Sequence, residues 1–489
     1  MLEPVSKAKT FVNVVYTSLT KGAAVVCQVI ASLIVARNLT PADYGVVGFA
    51  FIVIGFVSRF SDLGLETAVI RSSRFDRGNL WTAFTLKIIL SMGAFVVALL
   101  VAPCAHYFLG HPATGNVIRL LALNFLVSTI GFAPRITLER EMNYRALLLP
   151  SILGAVVRCL LITALILRGW NYWAIIVAEV CANLATGLAT QVVRPVGLQL
   201  HFDWTEAQDY LRFGLPLFGS GVVVFLMFNL DNFLVGTVMG SKQLGYYALA
   251  FSWASFICPL LSETVNGVLL PTFSAIQNDL SAVRRWYLKT IDLVAFVAVV
   301  SNTALLANAH SFLFLLGKGT GKWGPAELSL QILCFYGILR AMTEPLGPCI
   351  LARGRSKLLW HSNLLAGIVE VGLLLAVLRS GRIEMVAAVV GLAYLTQVFV
   401  YLPYLRQDLS VDFGDLVAQL WPILPAIAAG WILTSLLPSA AGAGGILTLA
   451  ARGLFTASVV AVTHGLFSRF RCFQEARGMI LQSVARATG

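Results

Sequence analysis

The sequence predicts an all-α polytopic membrane protein: about fourteen transmembrane helices, arranged as two six-helix lobes related by a pseudo-twofold repeat, with a helix pair added at the C-terminus. Three observations carry that prediction. Of the 489 residues, 58% are hydrophobic and 12% charged, with a mean hydropathy of +0.83, whereas a soluble domain carries about 25% charged residues. The apolar residues fall into runs long enough to cross a bilayer, which takes about 20 residues per helix. Finally, 36–51 (ARNLTPADYGVVGFAF) aligns without gaps to 236–251 (GTVMGSKQLGYYALAF), an internal repeat. Together these exclude a cytosolic enzyme, a disordered chain and a nucleic-acid-binding domain, so no nucleic acid is expected as a partner.

In chain order, the first spans fall near 11–35, 43–64 and 79–104, the last two separated by Arg71, Arg74 and Arg77. The N-terminal stretch carries Lys21 and Gln28 near its middle and has no small-residue cleavage site, so it reads as a first span and not as a removable signal peptide. Spans follow near 115–134, 146–167 and 170–193, with Arg135, Arg140 and Arg145 in one gap and Arg194 after the last. The second lobe supplies 213–237, 244–271, 287–316, 326–352, 357–378 and 383–405, and a final pair covers 416–437 and 446–468. Strands are excluded, because in lipid only helices and closed barrels satisfy their own backbone groups and these runs are too long for barrel strands.

With a cytoplasmic N-terminus, the inside loops and tail collect twenty-one Lys and Arg residues against eight outside. That bias places both termini in the cytoplasm. The formal charge of +12 is thereby a matter of topology and of contact with anionic headgroups of membrane lipids. The repeat divides the chain into 1–197, 198–410 and a C-terminal pair with its tail, 411–489. Six crossings per copy make the two copies parallel about an axis along the membrane normal.

The longest polar stretches, about 194–212, 272–290 and 404–415, are too short to fold on their own. No phosphate-binding loop, H-E-x-x-H, G-x-S-x-G or Cys/His cluster is present, and the cysteines lie mostly in apolar runs without metal-ligand or redox spacing. An enzyme is not expected, nor a bound metal or cofactor; a transporter is, with a proton or sodium gradient as the candidate energy source.

Ionisable groups inside a membrane span cost several kcal/mol unless they face a cavity or a partner, so they are the functional candidates. On the first span Asn13, Thr17, Lys21, Ala24 and Gln28 share one narrow helical face. Lys21 either lines a cavity there or snorkels to the interface, and about ten residues, roughly 15 Å of helix, separate it from the cytoplasmic end. Lys87, Arg158 and Arg340 lie within later spans. With Lys21 and Gln28 they form the candidate lumen, where cations, above all Arg with its bidentate donors, suit an anion such as a diphosphate. Asp231, Glu263, Glu344 and Glu370 are candidate coupling acids or counter-ions. Arg340 with Glu344 (i,i+4) and Arg59 with Asp62 (i,i+3) have spacings that permit intrahelical ion pairs, the reading preferred for Arg59. The breaker-rich start of the seventh span, FGLPLFGSG (213–221), is a hinge candidate, and Pro345, Gly347 and Pro348 interrupt the tenth. The last pair is nearly charge-free apart from Arg452 and serves either as packing or as an apolar groove for a lipid chain.

The segment 36–71 resembles the N-terminal signature of the bacterial polysaccharide transporter family, the O-antigen and exopolysaccharide lipid-linked oligosaccharide flippases. Leu-Thr-Pro-x-Asp-Tyr-Gly (39–45) and Phe-Ser-Asp-Leu-Gly-Leu (60–65) are its specific parts. The resemblance implies the fold of the multidrug/oligosaccharidyl-lipid/polysaccharide exporter superfamily, two lobes about a central cavity that alternates access between leaflets. It also implies a bacterial inner-membrane protein that moves undecaprenyl-diphosphate-linked repeat units to the periplasmic leaflet, for lipopolysaccharide or exopolysaccharide synthesis. A polysaccharide polymerase and chain-length machinery would be its working partners. A multidrug or cation antiporter on the same fold is the alternative.

Overall fold

The computed structural model describes residues 7–72, 77–197, 199–409, 411–438 and 445–468; within these, the side chains of 7–21, 23, 259–260, 262–268, 356 and 413 are not described. Among the described residues there is no strand, as expected where backbone groups must find partners without water. The chain forms two compact units, Met1–Gly245 and Tyr246–Gly489.

The first unit holds α1 (Lys7–Asn38), α2 (Pro41–Asp62), α3 (Leu65–Arg71), α4 (Arg77–Leu109), α5 (Thr114–Ile130), α6 (Phe132–Arg140), α7 (Tyr144–Leu167), α8 (Trp173–Val193) and most of α9 (Trp204–Ala254). The second continues with α10 (Ile257–Ile276), α11 (Leu280–Ala307), α12 (Ala309–Leu316), α13 (Glu327–Thr343), α14 (Leu346–Ala352), α15 (Ser356–Val377), α16 (Ile383–Leu409), α17 (Phe413–Leu420), α18 (Ile423–Ser435) and α19 (Gly445–Phe467). Among the described residues, ten helices are individually long and apolar enough to cross a membrane, eleven with the pair α5–α6, which is bent by 50°. Each expected span coincides with a helix or with a helix broken once.

The loop expected at 238–243 is a break at Gly240 (φ 84°, ψ 176°), where two helical segments of α9 meet; glycine takes that backbone conformation without a Cβ penalty. The seventh expected span falls in the first unit. The breaker-rich 213–221 is helical throughout, with Pro216 inside α9, whereas Pro345 does mark the break between α13 and α14.

The signature residues have mechanical roles. Thr40 caps α2 by accepting from the Asp43 amide at 3.2 Å and donates to the Asp43 carboxylate at 2.7 Å, with Pro41 at the first helical position. At the other end Leu63 (φ 43°) and Gly64 (φ 72°) take left-handed conformations that turn the chain into α3. Gly45 and Gly245, the equivalent glycines of the repeat, meet across the α2–α9 crossing. A Cβ on Gly45 would lie 1.8 Å from the Ser241 carbonyl oxygen, and one on Gly245 would lie 1.8 Å from that of Pro41. Lipid offers no hydrophobic reward for helix association, so packing of small residues at close range supplies it. Ala83, Ala98, Ala102, Ala122, Ala133 and Ala174 are fully buried for the same reason.

One apolar core of the first unit joins Leu65, Val69, Trp81, Phe84, Phe132, Ile136 and Tyr210, fastening the start of α9 to α3, α4 and α6. In the second, Ala295, Val299, Ile338, Ile423, Ala426 and Val460 tie α11 and α13 to the final pair. Arg452 on α19 is buried, and its guanidinium caps the end of α18. It donates to Asn308 Oδ1 at 2.9 Å and to the carbonyls of Leu437 at 2.8 Å and Thr434 at 3.2 Å. Thr456 bridges to both Asn308 and Thr434. The one charge in the apolar pair is thus a structural clasp.

Two stability predictions follow from these contacts. Gly45→Ala and Gly245→Ala should each destabilise the protein by about 3 kcal/mol or more, because the clash is with backbone and cannot swing aside. Gly93→Ala, where a Cβ meets no atom within 4 Å, should be neutral; equal melting temperatures in detergent for all three variants would refute the crossing. Arg452→Met should cost about 2 kcal/mol or more by orphaning buried acceptors, with Arg452→Lys a poor substitute since it lacks the planar fork. Unchanged melting of Arg452→Met would remove the clasp.

Candidate functional site

Charged side chains within apolar helices need a wet cavity or a partner, and the first unit provides both. A cavity of about 710 Å³ lies among α2, α5, α6, α8 and α9, a volume typical of small-molecule sites. Three cations (Arg59, Lys87, Arg135) and three acids (Asp62, Glu66, Glu179) line it, with Asn124, Asn183, Ser58, Ser128, Thr186 and Thr190 between them. Its charge is balanced, where the sequence emphasised cations with acids as candidate counter-ions.

Lys87 is the most enclosed of the cations, 5% exposed. Its ammonium donates to the Ser61 carbonyl at 3.1 Å and stands 5.8 Å from the Phe132 ring centroid. Helix α2 ends at Asp62, which frees the carbonyls of its last turn to accept, and Lys87 takes up one of them. Arg135 reaches Glu66 at 3.3 Å and Glu139 at 2.8 Å, which joins α6 to α3. Asp62 and Glu66 flank the Leu63–Gly64 turn, so one helix break sets both carboxylates at the cavity wall. One oxygen of Asp62, Oδ1, is buried and has no hydrogen-bond partner.

On the opposite wall Arg158 of α7 meets Glu179 of α8, with Nε 3.0 Å from Oε2 and Nη2 donating to Oε1 at 3.2 Å. The Asn183 amide donates to both Glu179 at 3.3 Å and Asn124 at 2.9 Å. Three helices are linked by this chain, which presents Glu179, Asn183 and Asn124 to the cavity while Arg158 holds it from behind.

Of the sequence candidates, Lys87 lines the cavity and Arg158 reaches it through Glu179. Gln28 is exposed on α1 and is not part of the lining. Asp231 is buried on α9, accepting from Asn232 at 3.1 Å, away from the cavity. The side chains of Lys21 and Glu263 lie outside the described residues. In the second unit Arg340 stands 3.8 Å from Glu344, as the i,i+4 spacing predicted. Close by, Thr343 and Tyr394 share a 2.7 Å hydroxyl contact and the Tyr336 and Tyr394 rings pack edge to face. Glu370 is buried on α15.

The ion pair preferred for Arg59 with Asp62 is not formed: the Arg59 guanidinium lies over the Phe225 ring, 5.3 Å from its centroid, exchanging a carboxylate for an aromatic face. Glu66, Arg135, Asn124 and Asn183 were not singled out in the sequence. Isolated asparagines in apolar helices are a usable signal; Glu66 and Arg135 read as loop-edge charges. Several cations of the inter-helix segments also have protein partners. Arg140 donates to the Val69 carbonyl at 2.8 Å, capping α3, and Arg353 donates to that of Asp408 at 2.7 Å.

The Arg158–Glu179 pair should behave as a coupled unit. Glu179→Gln should cost more than Arg158→Met, since Glu179 also accepts from Asn183, and the double variant should recover about 1 kcal/mol relative to the sum. Detergent unfolding of the four proteins measures this, and strict additivity would disconnect the pair.

The comparisons with known proteins agree with this architecture. The lipopolysaccharide biosynthesis protein WzxC of Escherichia coli (strain K12) is 21% identical, over 79% of this chain and 79% of its own length. Among solved structures, the lipid II flippase MurJ in an inward closed conformation superposes with a TM-score of 0.71 at 11% identity, covering 94% of this chain and 99% of MurJ. An inward-facing multidrug resistance MATE family transporter of the MOP superfamily gives 0.64 at 16% identity, covering 79% and 94%. At these identities the structural likeness establishes the fold alone, one shared with MurJ and the MATE transporter. The sequence profile described as "Polysaccharide biosynthesis protein" matches residues 34–318, more than half of the chain including the α2 signature and the whole polar cavity, so the chain belongs to that family.

Proposed function

We propose that this protein is a flippase that carries polyprenyl-diphosphate-linked oligosaccharide repeat units from the cytoplasmic to the periplasmic leaflet of a bacterial inner membrane, for surface polysaccharide assembly. The observation that carries this reading is the charge-balanced polar cavity of about 710 Å³ inside membrane-spanning helices. Lys87, Arg59 and Arg135 supply donors for a diphosphate. Asn124, Asn183, Glu179 and Asp62 supply the planar, two-sided acceptors and donors that sugar hydroxyls require. Membership of a polysaccharide biosynthesis family and the flippase named among its fold neighbours point the same way.

The finer expectations belong to this reading. Two parallel six-helix lobes, 1–197 and 198–410, would alternate access, with both termini cytoplasmic by the Lys/Arg asymmetry. Lys21, Gln28 and Arg340 remain candidates for the lumen in other states of the cycle, and Asp231, Glu263, Glu344 and Glu370 for coupling to a proton or sodium gradient. A polymerase and chain-length machinery would take up the exported unit. The antiporter reading is favoured by one observation, the three acids in the cavity, which would suit an organic cation.

The test is leaflet exchange of a labelled polyprenyl-diphosphate oligosaccharide in proteoliposomes. The wild type should exchange it. Lys87→Met should slow exchange about tenfold or more, the equivalent of 1.4 kcal/mol, with Lys87→Arg between the two. No exchange with any polyprenyl donor, together with efflux of a cationic dye under a proton gradient, would replace the flippase by the antiporter.

A further inference from the structure

We propose that the first unit carries a second site, an apolar groove of about 760 Å³ on the opposite face of α2, which holds the proximal isoprenoid segment of the lipid-linked ligand. The inference rests on the reading above and adds where the chain of the lipid lies. The groove runs between α2, α4 and α9, and its shape comes from an unequal pairing of side chains. Helix α4 offers the small Gly93 and Ala94, while α2 and α9 offer the rings of Phe56, Phe60, Phe225 and Phe233. A Cβ on Gly93 would meet no atom within 4 Å, so the floor there is open space. Asn229, the one polar residue of the lining, donates its amide to the Phe225 carbonyl at 2.9 Å. The slot therefore offers a ligand apolar surface only.

Its occupant follows from its position. Phe60 of the groove packs edge to face on Phe218 of the polar cavity, with ring centroids 4.9 Å apart. Arg59 of the polar cavity lies over Phe225 of the groove. The wall between the two spaces is thus one side chain thick, and a cation stands at it. Along α9 the lining passes from one space to the other between Gly221 and Phe225, about one helical turn. A molecule that is anionic and polar at one end and a long unsaturated hydrocarbon at the other matches both spaces at once. Its diphosphate would lie beside Arg59, and its first isoprene units would rest against the rings, whose faces suit branched alkenyl groups better than they suit polar ones.

The experiment uses the full-length protein in nanodiscs and a polyprenyl-diphosphate oligosaccharide bearing a photoreactive diazirine on one of its first isoprenes. Irradiation followed by peptide mapping should find adducts on 89–101 and 225–233. Unlabelled polyprenyl diphosphate should suppress them and excess phosphatidylglycerol should not. Gly93→Phe, whose Cβ would meet no atom within 4 Å and whose ring would fill the open floor, should lower these adducts and leaflet exchange several-fold. It should leave unchanged the binding of the same oligosaccharide diphosphate on a short water-soluble alkyl group, and the melting temperature. Adducts spread evenly over lipid-facing helices, or removed equally by phosphatidylglycerol, would overturn the proposal in favour of ordinary boundary lipid. Adducts and exchange indifferent to Gly93→Phe would overturn it as well. If wild type binds no short-alkyl ligand yet gives competable adducts at 89–101 and 225–233, the groove stands and the assignment of the polar cavity falls.

Discussion

A bilayer interior contains no water to complete a hydrogen bond, and each polar group left unpaired there costs several kcal/mol. That constraint decides the secondary structure first, since a helix pairs its own backbone. It then decides how helices meet. With no solvent to be freed from apolar surface, association depends on close contact, and Gly45 and Gly245 permit backbone to approach backbone at the α2–α9 crossing. Because both glycines lie at matching positions of the aligned segments, those positions mark a structural contact.

The same constraint sorts the buried charges by purpose. Arg452 spends most of its donors on Asn308 and on the carbonyls that end α18, and a guanidinium so used has little left for a ligand. Arg158 is held by Glu179 and displays that carboxylate, with Asn183 and Asn124, toward the cavity. Lys87, enclosed and donating to the Ser61 carbonyl, keeps donor capacity of its three protons in reserve. The difference between a clasp and a binding group is thus the number of donors already committed.

Periodicity and run length make the helices legible in the sequence: each expected span coincides with helical structure, while ten or eleven helices among the described residues are long and apolar enough to cross a membrane. What the sequence resolved least were events shorter than a helical turn: the loop expected at 238–243 is concentrated in the break at Gly240, and Pro216 sits inside helical backbone. Partner choice was less legible still. Spacing allowed Arg59 to pair with Asp62, but spacing does not know that α9 brings Phe225 within reach. Glu66 and Arg135 are far apart in the chain and meet only because α3 and α6 pack together. Lys87 was found from sequence because an isolated cation in an apolar run has few explanations; Asn124 and Asn183 carry the same signal more weakly, having no charge.

Balanced charge also bears on how such a cavity can work in a transport cycle. Three cations alone, Lys87, Arg59 and Arg135, would repel one another when the carrier is empty and would hold a diphosphate too firmly to release it. With Asp62, Glu66 and Glu179 in the same walls, the empty state has its own counter-charges and an arriving anion must displace them, so much of its attraction is cancelled. Conduction and carriage both need binding favourable enough to load and weak enough to unload. On the proposed function the apolar tail would then contribute affinity that does not depend on charge, and α2, polar on one face and aromatic on the other, would be the element that reads both ends of one amphiphile.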